Sequence, residues 1–506
     1  MTMKHLFVTA VMLAISGCAS SPAPAPADPL SVRVDSGSLH GVLEGDTVAF
    51  KGVPYAAPPV GDLRWRPTQP ATRWAGVRDA SKYGAICPQK PSATDNGVGK
   101  QPQSEDCLTL NLWTQAQPAS ARRPVMVWIH GGGFVNGSGT ADLYNGSALA
   151  RRGVVVVTIN YRLGRLGSFA HPLLTKESNG GATANYGLMD MVASLQWVKR
   201  NVAAFGGDPG NVTIFGESAG GMAVNRLMIS PAARGLFAKA IVQSGAGRER
   251  VVTLAAAETQ GEGLAKSLGV DAKTAAELRA IPADKIISAG DPSTFEGGGP
   301  VLEPHTFPMP VAQAFAKGQE AKVPYLLGFN SAEFPATPAT LDDSLKRILG
   351  LTPADHAELA KLYPDADNLA EFVVGDLVFS EPARHLAALH AGNGHTTYLY
   401  RFDVVSKSVQ NRMKGTRHAQ ERQYVFDTLP TSPYPTDAND AAQAQFANAY
   451  WAAFAKTGDP NGAGRPVWPA YTSAKDQLLD FTNSGPVAKP APTPERWAAL
   501  AARYPK

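Results

Sequence analysis

Five near-continuous apolar runs, each bounded by turn residues, constrain this chain more than any other feature: residues 125–129, 154–159, 212–215, 240–242 and 323–328. A strand that is apolar all round must be covered on both faces, so such runs read as buried members of a parallel sheet. Helical patterns lie between them. Within residues 186–205, Leu188, Met191, Leu195 and Val198 fall on one stripe at helical spacing. Strands alternating with helices need right-handed crossovers and imply an α/β fold with a mainly parallel sheet. Residues 37–69 have more turns and alternation, which predicts a small antiparallel edge. After residue 328 the pattern is mostly helical, as at 357–362 and 441–456, with one late strand at 397–402. No internal repeat and no second linker follows residue 30, so residues 30–506 read as a single domain with insertions.

A chain of 506 residues with 44% apolar and 18% charged side chains can cover such a sheet, and a net charge of +4 is too small to favour disorder. It holds no long basic run, so a nucleic-acid partner is not expected. Three cysteines rule out a disulfide framework or a multi-zinc fold, and their positions matter more than their number. Residues 1–17 carry one charge, Lys4, and an apolar run at 6–15 too short to span a bilayer, which is the pattern of a signal peptide. The run ends in Ile15-Ser16-Gly17-Cys18, similar to the lipobox of bacterial lipoproteins, in which Cys18 is lipidated and becomes the mature N-terminus. A plain secretory signal cut near Ala19 or Ala27 is the alternative. Residues 20–29 are Pro-rich, and with Cys18 they read as an extended tether over 18–29. The expectation is an exported protein facing the periplasm or cell surface, touching membrane only through a lipid on Cys18. In an oxidising compartment Cys87 and Cys107, twenty residues apart, would pair; two separate buried thiols are the alternative.

The chemistry lies where strands end. Gly216-Glu217-Ser218-Ala219-Gly220 follows the run at 212–215 and precedes a helical pattern at 222–229, the context of a nucleophile elbow. A tight strand-to-helix turn strains the serine backbone and projects its hydroxyl, and flanking glycines remove Cβ atoms that would clash. His130-Gly131-Gly132-Gly133-Phe134 follows the run at 125–129. Consecutive glycines let backbone N–H groups converge on one point, which suits a developing oxyanion. The loop lacks the Gly-Lys-Ser/Thr of a phosphate-binding loop. Gly132 and Gly133 are the expected donors, joined by the N–H of Ala219.

A serine nucleophile needs a base. Chain order in this kind of fold is nucleophile, acid, histidine, which leaves His305, His356, His385, His390, His395 and His418. His385 and His390 fall in a helical stretch, His356 begins another, and His395 precedes the late strand at its wrong end. His418, in the loop Lys414-Gly415-Thr416-Arg417-His418 after that strand, is the choice, with His305 second. The acid that orients the imidazole belongs just after the strand at 323–328, where Asn330-Ser331-Ala332-Glu333 supplies Glu333.

With these residues placed, the chain resembles the type-B carboxylesterases, the family of cholinesterases and bacterial p-nitrobenzyl esterases, over nearly all of residues 32–471. Phe50-Lys51-Gly52-Val53-Pro54-Tyr55-Ala56, Leu63-Arg64-Trp65-Arg66-Pro67, Ser104-Glu105-Asp106-Cys107-Leu108-Thr109-Leu110-Asn111, Phe205-Gly206-Gly207-Asp208-Pro209 and Phe454-Ala455-Lys456-Thr457-Gly458-Asp459-Pro460-Asn461 carry the likeness, with the His130 and Ser218 motifs. The resemblance implies an α/β-hydrolase fold with helices on both faces of the sheet and helical insertions over the site. It implies a serine carboxylesterase acting on small-molecule esters, with Ser218, Glu333 and His418 as the triad, Gly132, Gly133 and Ala219 as the oxyanion hole, and a Cys87–Cys107 disulfide. It also implies ion pairs Arg64–Glu105 and Arg162–Asp190 and a supporting Ser244. Such chemistry needs no metal and no organic cofactor. Met191, Ala223, Ala419 and Glu303-Pro304 depart from the family pattern, where Gln, Ser, Gly and Asp-Gly are usual, and none of them removes a reacting group. A binding module on the same fold typically loses a triad member, and acyl transfer to an alcohol or amine would use the same residues. Asn136, Asn145 and Asn211 match a glycosylation pattern but read as structural polar residues.

Overall fold

The computed structural model describes residues 1–2, 28–90, 97–116, 121–248, 251–289 and 299–504. The leader beyond Thr2, Cys18 and most of the Pro-rich stretch lie outside the described residues. Fourteen strands are described: β1 (Ser31–Val34), β2 (Gly37–His40), β3 (Val42–Glu44), β4 (Thr47–Pro54), β5 (Val77–Asp79), β6 (Thr109–Gln115), β7 (Arg123–Ile129), β8 (Val155–Ile159), β9 (Gly207–Glu217), β10 (Lys239–Gln243), β11 (Tyr325–Asn330), β12 (Thr397–Asp403), β13 (Gln477–Thr482) and β14 (Gly485–Pro490). Eleven form one sheet in the order β14-β13-β12-β11-β10-β9-β7-β8-β6-β4-β3, and β1, β2 and β5 form a small second sheet.

From β8 across to β13 every pairing is parallel, while β6, β4 and β3 at one edge and β14 at the other are antiparallel. Each of the five apolar runs seen in the sequence lies in one of the parallel strands, with shifted ends. The strand at 323 begins only at Tyr325, after Pro324, which has no N–H for the ladder. The strand at 212 reaches from Gly207 to Glu217, and its register with β7 breaks beside Pro124. The antiparallel edge expected at 37–69 divides, β3 and β4 joining the main sheet and β1 and β2 the small one.

Side-chain alternation explains why the central strands look wholly apolar. Val125, Val127 and Ile129 of β7 point into one core, whereas Met126 and Trp128 point into the other. The same split separates Ala240 and Val242 from Ile241, and Tyr325, Leu327 and Phe329 from Leu326. On one face the helix Tyr186–Asn201 lays down Leu188, Met191, Leu195 and Val198. It is shorter than its apolar pattern: a 3₁₀ turn, Val202–Phe205, and Gly206 at φ 78° end it. On the other face the helix Ala438–Thr457 contributes Tyr450, Trp451 and Phe454.

The helical expectation at 357–362 is displaced as well, while the stretch holding His385 and His390 is helical as expected. One helix is Pro353–Ala360, with His356 in its interior, and the other is Glu381–Gly392. The second continues an earlier helix, Ala366–Gly375, through a π turn at Asp376–Ser380.

Seven parallel strands bring their carboxyl ends to one edge, and successive exits are pinned together. Ser218 N donates to Gln243 O at 2.9 Å, Ser244 N to Gly328 O at 2.8 Å and Ser331 N to Phe402 O at 2.9 Å. Ion pairs brace the flanking loops. Arg162 holds Asp190 through two hydrogen bonds of 2.8 Å, with side chains only 4% and 0% exposed. Arg64 holds Glu105 through bonds of 2.7 and 2.5 Å. Cys87 and Cys107 form a disulfide that closes the twenty-residue loop. No described helix is long and apolar enough to cross a membrane.

Candidate active site

Ser218 sits between β9 and the helix Ala219–Ile229 at φ 54°, ψ −124°. A non-glycine residue in that region costs on the order of 1–3 kcal/mol and persists only where its surroundings impose it. Here they do. A Cβ on Gly220 would lie 2.0 Å from Ile129 O, and one on Gly216 would lie 2.6 Å from the Gly220 backbone, so only glycines let the helix start this close to β7.

Three exits deliver the remaining groups. His418 Nε2 lies 2.9 Å from Ser218 Oγ, and its Nδ1 lies 2.6 Å from Glu333 Oε2. An ionised carboxylate can only accept, so Nδ1 carries the proton and Nε2 offers its lone pair to the serine hydroxyl. The other oxygen of Glu333 accepts from Ser244 Oγ at 2.6 Å and from Asn330 N at 2.7 Å. The loop itself is fastened by His418 N donating to Glu333 O at 2.9 Å and Ala332 N to Thr416 O at 2.9 Å. Ala419, where the family usually has Gly, adopts φ 66° and so takes on backbone strain that glycine would avoid.

Gly132 and Gly133 adopt φ 102° and 61°, and a Cβ on Gly132 would lie 2.1 Å from Asn136 Oδ1. Among the described residues, the N–H groups of Gly132, Gly133 and Ala219 donate to no protein acceptor. All three residues line, with Ser218 and His418, a cleft of about 2380 Å³. The structure therefore brings Ser218, His418, Glu333, Gly132, Gly133 and Ala219 together. The other histidines are engaged elsewhere: His305 Nε2 with Gly180 O at 2.9 Å, His356 with Asp342 at 2.6 Å, and His390 between Glu320 and Val323 O, with His395 against its ring. His385 does line the cleft, and burial pushes its imidazole down to about 4.

Several neighbours carry no signal in the sequence. Glu217, 1% exposed, turns back to lie 3.3 Å from His418 Nε2 and 3.8 Å from the Arg422 guanidinium. Burial pushes its carboxyl up to about 7, with Arg422 and His418 offsetting part of that. Burial alone would lower the His418 imidazole, but Glu217 and Glu333 overcome it and the net shift is upward. Glu421, wholly buried, accepts from Gln243 Nε2 at 2.8 Å and Asn330 Nδ2 at 2.5 Å, which steadies the residue whose N–H holds Glu333. Phe334 and Phe379 pack on the His418 ring at 4.2 and 5.0 Å. No spacing rule points at these contacts, because each depends on how separate strand exits meet. Among the described residues there is no cluster of three or more His, Cys, Asp or Glu suited to a metal. Asn145 and Asn211 serve local bonds, to Glu44 Oε2 and Lys456 O.

Comparisons with known proteins place the chain in a family. The profile of the Carboxylesterase family matches residues 28–350 and 361–496. Fumonisin B1 esterase of Sphingopyxis macrogoltabida is 38% identical over 474 residues, covering 90% of this chain and 87% of its own length. Para-nitrobenzyl esterase of Bacillus subtilis (strain 168) is 36% identical over 471 residues, covering 88% and 94%. A solved PNB esterase structure superposes with a TM-score of 0.83 at 33% identity, covering 95% of this chain and 100% of that one, so the sheet and its helices form an α/β-hydrolase fold. A carboxylesterase from Geobacillus stearothermophilus gives 0.81 at 33% identity over 93% and 100%. On its sequence, its fold and the groups gathered at its strand ends, the chain belongs to the type-B carboxylesterase family and is an enzyme that hydrolyses carboxylic esters.

Proposed function

We propose that ester hydrolysis runs through Ser218, His418 and Glu333 by way of an acyl-enzyme. The observation that carries this is the unbroken hydrogen-bond chain from Ser218 Oγ through both nitrogens of His418 to Glu333, in a cleft that Gly132, Gly133 and Ala219 also line. Ser218 Oγ attacks the carbonyl carbon while His418 Nε2 takes the hydroxyl proton, and Glu333 stabilises the imidazolium without itself being protonated. The N–H groups of Gly132, Gly133 and Ala219 hold the oxyanion; loss of one such donor typically costs ~10²–10³ in rate. His418 then gives its proton to the departing alkoxide oxygen, and the alcohol leaves. Water attacks the acyl-serine with His418 again as base, which releases the acid and restores the hydroxyl.

The leader and Ile15-Ser16-Gly17-Cys18 support export with a lipid on Cys18 and residues 18–29 as a spacer. Radiolabelled fatty acid should enter the full-length chain and not its Cys18→Ser variant; equal labelling of both refutes the anchor. For the chemistry, Ser218→Ala should reduce p-nitrophenyl acetate turnover to background with an unchanged melting temperature. Turnover retained by that variant refutes the mechanism.

A further inference from the structure

The helical run from Ala366 to Gly392 is interrupted beside the site by the π turn Asp376–Ser380. Its cause is local. The Glu381 N–H bonds to Asp376 O, five residues back, and the next residue, Pro382, has no N–H to continue the ladder. The carbonyl five residues before Pro382 is that of Leu377, and the hydroxyl of Tyr504, near the chain end, donates to it. Tyr504 is in turn held by the Arg248 guanidinium, 4.0 Å from its ring centre, while Arg248 Nη1 donates to Glu381 Oε1 at 2.6 Å. One hydroxyl thus supplies the hydrogen bond that the proline cannot.

The turn touches both partners of Ser218. Upstream, Gly375 lies so close to Glu333 that a Cβ there would be 3.1 Å from Glu333 Cβ. Within the turn, Phe379, 3% exposed, lays its ring on the His418 imidazole at 5.0 Å and an interplanar angle of 27°. Phe334, next to Glu333, meets the same imidazole at 4.2 Å, and the two phenyl rings are 5.6 Å apart. An α-helical register would rotate Phe379 away, since one extra residue in a turn rotates the later side chains by about 100° around the helix axis.

We propose that this π turn is a positioning device for His418, with Phe379 and Tyr504 as positioning residues: Phe379 fixes the plane of the imidazole, and Tyr504 holds Phe379 in place through the Leu377 carbonyl. The inference rests on His418 acting as the base. Packed rings limit rotation of the imidazole and keep Nε2 aimed at Ser218 Oγ, and a misplacement of ~1 Å in such a contact can cost ~100-fold in rate.

The test is steady-state kinetics on p-nitrophenyl acetate with the full chain. Phe379→Leu, which keeps apolar volume and loses the flat ring, should lower kcat by ~10-fold or more with KM unchanged within about twofold, while Phe379→Tyr should stay near wild type. Tyr504→Phe removes one oxygen from a side chain that lines the cleft and should lower kcat by about threefold, and the double variant Phe379→Leu/Tyr504→Phe should be no slower than Phe379→Leu alone. Wild-type kcat in Phe379→Leu, an effect confined to KM, or losses that multiply in the double variant would each overturn the proposal. Ser218→Ala separates this from failure of the underlying mechanism. Turnover surviving in Ser218→Ala overturns the triad, whereas turnover lost there, with Phe379→Leu at wild-type kcat, overturns only the positioning role.

Discussion

Replacing Glu333 by Gln changes one oxygen into an amide nitrogen, and the surroundings decide which. Oε1 accepts from Ser244 Oγ at 2.6 Å and from Asn330 N at 2.7 Å, and both are donors, so the amide oxygen must take that side. The NH₂ group then stands where Oε2 was, 2.6 Å from His418 Nδ1. Two donors cannot share that contact. The imidazole must therefore move its proton to Nε2, where it faces Ser218 and can no longer accept the hydroxyl proton. Loss of the correct tautomer in a triad costs ~10⁴ in kcat, or about 5.4 kcal/mol of transition-state stabilisation. Stopped assays with p-nitrophenyl acetate at neutral pH, with a melting curve to show the fold intact, measure this directly. A Glu333→Gln enzyme keeping more than about a tenth of wild-type kcat would refute the reasoning.

Asp190→Asn leaves the nearly buried Arg162 guanidinium without its carboxylate and should cost about 3–5 kcal/mol of stability, read from the denaturant midpoint; a shift below about 1 kcal/mol would show the pair to be dispensable. Opening the loop with Cys87→Ser/Cys107→Ser should cost about 3 kcal/mol, and reductant should destabilise the wild type alone. The acid limb of kcat/KM reports His418 losing its proton, and the carboxylates facing it, Glu217, Glu333 and Glu421, raise that midpoint against burial. Glu217→Gln removes the carboxylate 3.3 Å from Nε2 and should move the acid limb to lower pH; no shift, or one to higher pH, contradicts the assignment.

The features legible in residue order obey physical rules that act locally. Central strands announce themselves because burial on both faces leaves few polar positions, and the Ser218 elbow because a turn that sharp needs Gly216 and Gly220. Edge elements are harder to read. β6 and the β13–β14 hairpin carry mixed patterns, and the helix ends at Asn201 and Ala360 depend on turns that apolar periodicity does not encode. Glu333 can be reached only as a carboxyl after a strand, since what distinguishes it is the Ser244 hydroxyl, 89 residues earlier, and the Asn330 N–H. The π turn is invisible for a related reason: Pro382 marks a break, but the geometry of that break is decided by Tyr504, 127 residues beyond Leu377. Glu217 stands inside the recognised motif, yet only the packed β9–helix corner shows that it points towards His418.

The most direct test of the central claim is covalent trapping of the nucleophile. Incubation with a p-nitrophenyl phosphate triester, followed by mass spectrometry of intact and digested protein, should give one adduct per chain, on Ser218, with loss of activity in proportion to labelling. The Ser218→Ala chain should take up none. An adduct on another residue that tracks inactivation, or full activity in a chain labelled at Ser218, would contradict the account.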